Sequence, residues 1–92
     1  RWELIDSVAY NMSPAPGTTH QRLVLRLGAQ LTLALEGQPC EPFVAPMDVR
    51  LGSRTAADHE IETVVQPDVM VVCDRTKLDD RGCHGAPDFV IE

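Results

Sequence analysis

The sequence has no surplus of positive charge: eight Lys and Arg stand against fourteen Asp and Glu, for a net charge of -6 and a pI near 4.9. Non-specific grip on a phosphate backbone comes mainly from Lys and Arg that release counterions, so bulk charge gives this chain no such grip. Also missing is any run approaching the ~20 apolar residues of a membrane-crossing helix, which leaves no membrane partner to expect. No leader pattern opens the chain, since Arg1-Trp2-Glu3 precedes only a short mixed segment. Cysteine is sparse. Cys40, Cys73 and Cys83 are odd in number and lack Cys-x-x-Cys spacing, whereas a secreted disulfide framework favours an even, denser set. Reduced thiols and a cytoplasmic location are the expectation. Repeats and low-complexity tracts are absent too.

What is present suits a soluble globular protein: 92 residues, 43% hydrophobic and 24% charged. That length predicts one domain over 1–92. A domain of this size buries only roughly 60–65% of the surface its unfolded chain exposes, so most apolar residues must share one core.

Residues 2–12 mix apolar and polar positions around Asp6-Ser7, as two short strands joined by a tight turn or a single extended segment would. Ser13-Pro14-Ala15-Pro16-Gly17 is a loop, because two donor-less prolines followed by Gly cannot continue a sheet. Thr18 or Thr19 can cap the helix that follows. Leu23, Leu27 and Leu31, flanked by Val24 and Leu35, form an apolar stripe that predicts a helix over 18–36, ending at Gly37.

From Phe43 to Leu51 the period becomes two, with Phe43, Ala45, Met47, Val49 and Leu51 on one side and Val44, Pro46, Asp48 and Arg50 on the other. Pro46 points to an edge position or a bulge. Residues 52–62 are polar and read as an exposed connection. Val64 to Cys73 is a second strong strand, with Val65, Val69, Val71 and Cys73 opposite Val64, Gln66, Asp68, Met70 and Val72. Residues 74–87, with Gly82, Gly85 and Pro87, read as a loop, after which Phe89-Val90-Ile91 begins another, buried strand.

Two carboxylates stand out. Asp68 lies on the more polar face of an apolar strand, and Glu92 ends another apolar stretch after a loop long enough to lay the two strands side by side. Carboxylates on neighbouring strands make a hard oxygen site suited to Mg²⁺, an ion that activates water and orients a phosphate. His20 is either a capping or solvated residue or an active-site helper, and is carried as a candidate catalytic residue with Asp68 and Glu92. Asp48 with Arg50 reads as an exposed strand face with a weak ion pair, at least as well as a site. Arg22 and Arg26, four apart, read as a solvated helix face that could meet phosphate. Zinc at His59, Cys73, Cys83 and His84 has no ligand spacing in its favour. A Cys83–His84 nucleophile fails because sequence neighbours rarely reach hydrogen-bond geometry. Asn11-Met12-Ser13 matches a glycosylation acceptor, which means nothing without secretion.

Trp2-Glu3-Leu4-Ile5-Asp6, Met12-Ser13-Pro14-Ala15-Pro16, His20-Gln21-Arg22, Asp48-Val49-Arg50-Leu51, Val65-Gln66-Pro67-Asp68 and Gly85-Ala86-Pro87-Asp88-Phe89-Val90-Ile91-Glu92 follow one another in order. That succession resembles the Uma-two family of restriction-endonuclease-like proteins, of the PD-(D/E)XK nuclease fold. The family usually has Gly-Glu where this chain has Ser7-Val8. The resemblance implies an α/β (α+β) domain with a mixed, mostly antiparallel sheet and the long N-terminal helix packed on one face. It implies Asp68 and Glu92 as ligands of Mg²⁺, water as nucleophile, and phosphodiester hydrolysis in nucleic acid (DNA). The family pattern continues past Glu92 into a Lys-bearing helix and a further strand. The chain is therefore expected to lack the C-terminal part of the domain, its lysine included, and to be inactive as it stands. The alternative is a non-catalytic structural or protein-interaction module that keeps the nuclease-like fold. Unpaired strand edges template association, so a homo-oligomer is also expected.

Overall fold

The computed structural model describes residues 2–6, 8–11, 17–52 and 63–92, with the backbone alone for 2–4 and 9–11. Most of the loop expected at 13–17 and nearly all of the connection expected at 52–62 lie outside the described residues. The chain opens with a hairpin, β1 (Trp2–Ile5) and β2 (Val8–Asn11), paired antiparallel. Asp6 takes the left-handed conformation its turn requires (φ 49°), which Asp tolerates better than most residues.

Helix α1 follows (Thr18–Ala34). Its cap is Gly17, without a side-chain cap bond, and not Thr18 or Thr19 as expected. Gly17 is extended and its carbonyl already accepts from Gln21 at 3.1 Å, which leaves both threonines inside the first turn. The face half-buried against the sheet carries His20, Val24, Leu27, Leu31 and Leu35; Leu23, expected in the stripe, is 56% exposed.

Two stretches that alternate like single strands are each cut by a proline. The first yields β3 (Glu41–Val44) and β4 (Val49–Leu51), separated by a cis Ala45–Pro46 peptide. The second yields β5 (Thr63–Val65) and β6 (Val69–Val72), separated by Gln66-Pro67-Asp68. Proline donates no ladder bond, and here the paired stretches leave one sheet and enter another, so Pro46 marks a sheet-to-sheet crossing instead of a bulge or edge. The bend is held by the Ala45 amide donating to the Asp68 carbonyl (3.0 Å) and Gln66 Nε2 donating to Asp48 Oδ1 (2.7 Å).

Residues 74–87 are not a plain loop. After a 3-10 turn at Arg75–Lys77 they form the hairpin β7 (Leu78–Asp79) and β8 (Gly82–His84), whose strands are too short to show a period. Gly82 is obligatory: at φ 117° a Cβ would stand 2.3 Å from the Asp48 carbonyl oxygen. The last strand is β9 (Phe89–Ile91).

One sheet has the order β2-β1-β5-β4-β8-β7 and the other β3-β6-β9. Every described pairing is antiparallel except β4 with β8, so the class is α+β, with two sheets where one was expected. Alternation along β6 explains the layers. Met70 and Val72 enter the core with Val49 and Cys83 of the larger sheet, joined by Phe43, Met47, Leu51, Val65 and Leu78. Val69 and Val71 turn the other way, and α1 packs on β3 and β6. β6 is thus buried on both faces, at about 1.5–3 kcal/mol per fully buried Val or Met. As an edge strand β9 remains open instead of buried, with Phe89 52% exposed.

The reduced-cysteine expectation is overturned: Cys40 and Cys73 form a disulfide. Glu41 faces Val72 across the β3–β6 ladder, so the pairing brings its flanking cysteines together across a separation of 33 residues. This removes the cysteine argument for a cytosolic compartment. Only Cys83 is a free thiol, and it is buried. Among the described residues no helix is long and apolar enough to cross a membrane.

Candidate functional site

Asp68 and Glu92 meet through strand register. Val69 pairs with Ile91, Met70 with Val90 and Val71 with Phe89, and the next position along puts Asp68 across from Glu92. That register is pinned at its far end by Asp88, whose carboxylate accepts from the Cys73 amide at 2.6 Å while its own amide donates to the Val71 carbonyl at 2.9 Å. Asp88 is therefore a clamp on β9. The proline before Asp68 ends β5, and the bond from Ala45 fixes the Asp68 carbonyl.

Helix α1 supplies the third group. In its first turn His20 directs Nε2 to Asp68 Oδ2 at 3.2 Å; the acid is the buried partner, 12% exposed against 38% for the histidine. Nδ1 of His20 is buried and has no hydrogen-bond partner among the described residues, which leaves Nε2 as the ring atom engaged. A pocket of about 110 Å³ is lined by His20, Asp68 and Glu92 with Leu23, Val24, Leu27, Val69 and Ile91. Its apolar wall lowers the local dielectric and strengthens interactions at the carboxylates. All three residues singled out in the sequence thus line one pocket.

The other candidates lie elsewhere. Arg22 and Arg26 are exposed and do not line the pocket. Asp48 and Arg50 do not pair with each other: Asp48 accepts from Gln66, and Arg50 is buried, 6% exposed, with its guanidinium on Asp79. Arg50, bonded to Asp79 Oδ2, holds the Asp79 carboxyl below the usual range. Burial pushes the Cys83 thiol up, the opposite of what a nucleophile needs. Cys73 is bonded to Cys40, and His59 is outside the described residues. A larger cleft of about 410 Å³ is lined by Asp48, Gln66, Asp79, Asp80 and Arg81 among others, and two of these carboxylates, Asp48 and Asp79, are engaged by Gln66 and Arg50. Size alone does not make it the better candidate.

A family model described as "Putative restriction endonuclease", Uma2, matches residues 1–92. The chain belongs to the Uma2 family. It is nuclease-like in kind. No curated protein matches the chain.

Nucleases of this type commonly use a divalent metal, and the donor set of this Uma2 chain can be tested for one. Among the described residues no group of three His, Cys, Asp or Glu is arranged to hold a metal ion by itself. Asp68 and Glu92 offer two carboxylates across one ladder, and Mg²⁺ is usually held by one or two carboxylates while keeping water and substrate oxygens. The residues fit that pattern. The sequence pattern missed the apolar wall of Val24, Leu27, Val69 and Ile91 as site residues, because β-branched and leucine positions read as core; the register of β6 with β9 identifies Val69 and Ile91, and the packing of α1 on β6 identifies Val24 and Leu27.

Proposed function

We propose that this Uma2 chain carries the acidic centre of a Mg²⁺-dependent nuclease that hydrolyses phosphodiester bonds in DNA, with Asp68 and Glu92 as metal ligands. The observation that supports this reading is the pairing of Val69 with Ile91, which sets Asp68 across from Glu92, with His20 Nε2 3.2 Å from Asp68. Bound there, Mg²⁺ supplies Lewis acidity toward a phosphoryl oxygen and toward the attacking water. Asp68, anchored at its carbonyl by Ala45 and at its carboxylate by His20, presents oxygen in a fixed direction. Glu92 is exposed and would hold the ion together with Asp68. His20 acts through Asp68 as a positioning residue, orienting the carboxylate as outer partners orient metal ligands. Leu23, Val24 and Leu27 keep bulk water from one side of the pocket.

The test is cleavage of plasmid and oligonucleotide DNA by the purified full-length protein, which carries the Lys-bearing part that the family pattern sets after Glu92, with Mg²⁺ and with chelator, for the parent and for Asp68→Asn. The reading expects cleavage that needs Mg²⁺ and is lost in the variant while its melting curve stays in place. Full activity of Asp68→Asn sinks the assignment.

A further inference from the structure

One long stretch of this acidic chain contains no acid. Nothing between Asp6 and Glu36 is Asp or Glu, although the sequence holds fourteen of them. Helix α1 fills much of that stretch, and its charged or ionisable side chains are His20, Arg22 and Arg26. His20 turns to Asp68, whereas Arg22 and Arg26 are exposed, with no ion-pair or hydrogen-bond partner among the described residues. Other cations are tied into the fold: Arg50 to Asp79, Arg75 to the Pro39 carbonyl and Lys77 to the Ala86 carbonyl.

Two exposed arginines alone make a solvated helix face; their place on the helix adds the rest. At about 100° per residue, Thr19, Arg22, Arg26 and Gln30 fall within about 80° of one another. All four are exposed, and each carries a side-chain donor. The stripe adjoins the pocket. Next around the helix comes Leu23, which lines the pocket and is 56% exposed, followed by Leu27, His20 and Val24. On its other side the pocket is walled by β6 and β9, whose flanking side chains Asp68, Asp88 and Glu92 are acidic. Charge therefore changes sign across the pocket, from the helix to the strands.

We propose that this stripe is the track for the sugar–phosphate backbone of duplex DNA, with Arg22 and Arg26 each neutralising one phosphate of the strand that reaches the Asp68–Glu92 pocket. The proposal rests on the nuclease reading and adds where the substrate is held. A polyanion approaching an acidic centre is steered by the field around it, and here the helix is the side that does not repel it. The two arginines stand about 6 Å apart along the axis, at 1.5 Å per residue, which leaves room for one phosphate each. The local stripe supplies the grip that a net charge of -6 withholds. Contacts of this kind position DNA without reading its sequence.

Fluorescence anisotropy of a labelled duplex oligonucleotide tests this, using the full-length protein with chelator present so that binding is read apart from cleavage. Each neutralised phosphate adds about 0.9 to the slope of log affinity against log salt. The double variant R22Q/R26Q is therefore expected to lower that slope by about 2. Between about 50 and about 200 mM salt the parent should lose about tenfold more affinity than the double variant. Arg75→Gln, an exposed arginine outside the stripe, is expected to leave the slope unchanged, and all variants should keep the parent circular dichroism spectrum. An unchanged slope in R22Q/R26Q, an equal fall in Arg75→Gln, or no duplex binding by the parent overturns the proposal. Cleavage by the parent and by Asp68→Asn reads the nuclease assignment separately: the expected slopes without any cleavage sink that assignment and leave the stripe as a DNA-binding surface.

Discussion

Two acid–base pairs in this molecule are built in opposite senses. In the pair at the pocket the acid is sheltered and the base is open: Asp68 is 12% exposed and His20 38%. In the pair of the larger sheet the base is sheltered and the acid is open, with Arg50 at 8% and Asp79 at 44%. Arginine is charged at every accessible pH, so a buried guanidinium must keep its carboxylate, and the Arg50–Asp79 contact is part of the scaffold. His20 is the more open member of its pair, so moving it aside strands no buried base, and a cation of the kind proposed would reach Asp68 past it. On the proposed reading, burial of the acid or of the base separates the carboxylate assigned to chemistry, Asp68, from the one committed to the fold, Asp79.

The comparison breaks most visibly at Asp68. Asp68→Asn is expected to lower Mg²⁺-dependent kcat/KM by about a thousandfold or more with little change in melting temperature. A variant that unfolds while its folded fraction stays active would move Asp68 into the scaffold. His20→Ala is expected to reduce cleavage by about 10–100-fold, the usual effect of removing a residue that orients a metal ligand; equal loss in kcat at all Mg²⁺ concentrations would contradict a positioning role, which predicts partial rescue by excess metal. Asp79→Asn is expected to cost about 1–2 kcal/mol in urea unfolding, below the range for a fully buried pair because Asp79 is half open, and to leave activity per folded molecule unchanged. The smallest effect is in the pH profile of stability. The native pKa of Asp79 is lowered, so its contribution is present above the ordinary carboxyl range and is lost as pH falls through the native value. The native pKa of Cys83 is raised, so its contribution is full below the ordinary thiol value of about 8.5 and is lost as pH climbs from there toward the native value. Urea midpoints across pH 3–10 read both limbs; a flat acidic limb in the parent would remove Asp79 from the scaffold.

The sequence was most legible where a period is long or a side chain unusual. Helix α1 follows from its leucine spacing, and the apolar sides of β3 and β4 follow from alternation: Phe43, Met47, Val49 and Leu51 all reach the core. Alternation could not show that Pro46 and Pro67 divide these stretches between two sheets, because a strand's period continues unchanged across a bend. β7 and β8 escaped notice because two or three residues hold no period, and Gly82 reads as a turn until the Asp48 carbonyl is placed against it. The disulfide was hidden for the same reason as the Arg50–Asp79 pair: each depends on a register or parallel neighbour far away in sequence. For the candidate site, the carboxylates could be picked out by residue type and resemblance, but the fact that joins them, Val69 beside Ile91, is a property of pairing.

The most direct test uses Mn²⁺ as a paramagnetic stand-in for Mg²⁺, since both favour octahedral oxygen coordination, and follows the amide spectrum of the isotopically labelled protein. A metal held by Asp68 and Glu92 predicts saturable broadening centred on His20, Asp68, Val69, Ile91 and Glu92, reversed by Mg²⁺ and absent in Asp68→Asn. Broadening that does not saturate, or that centres on Asp79 and Asp80 instead, would contradict the assignment of the metal to the β6–β9 ladder.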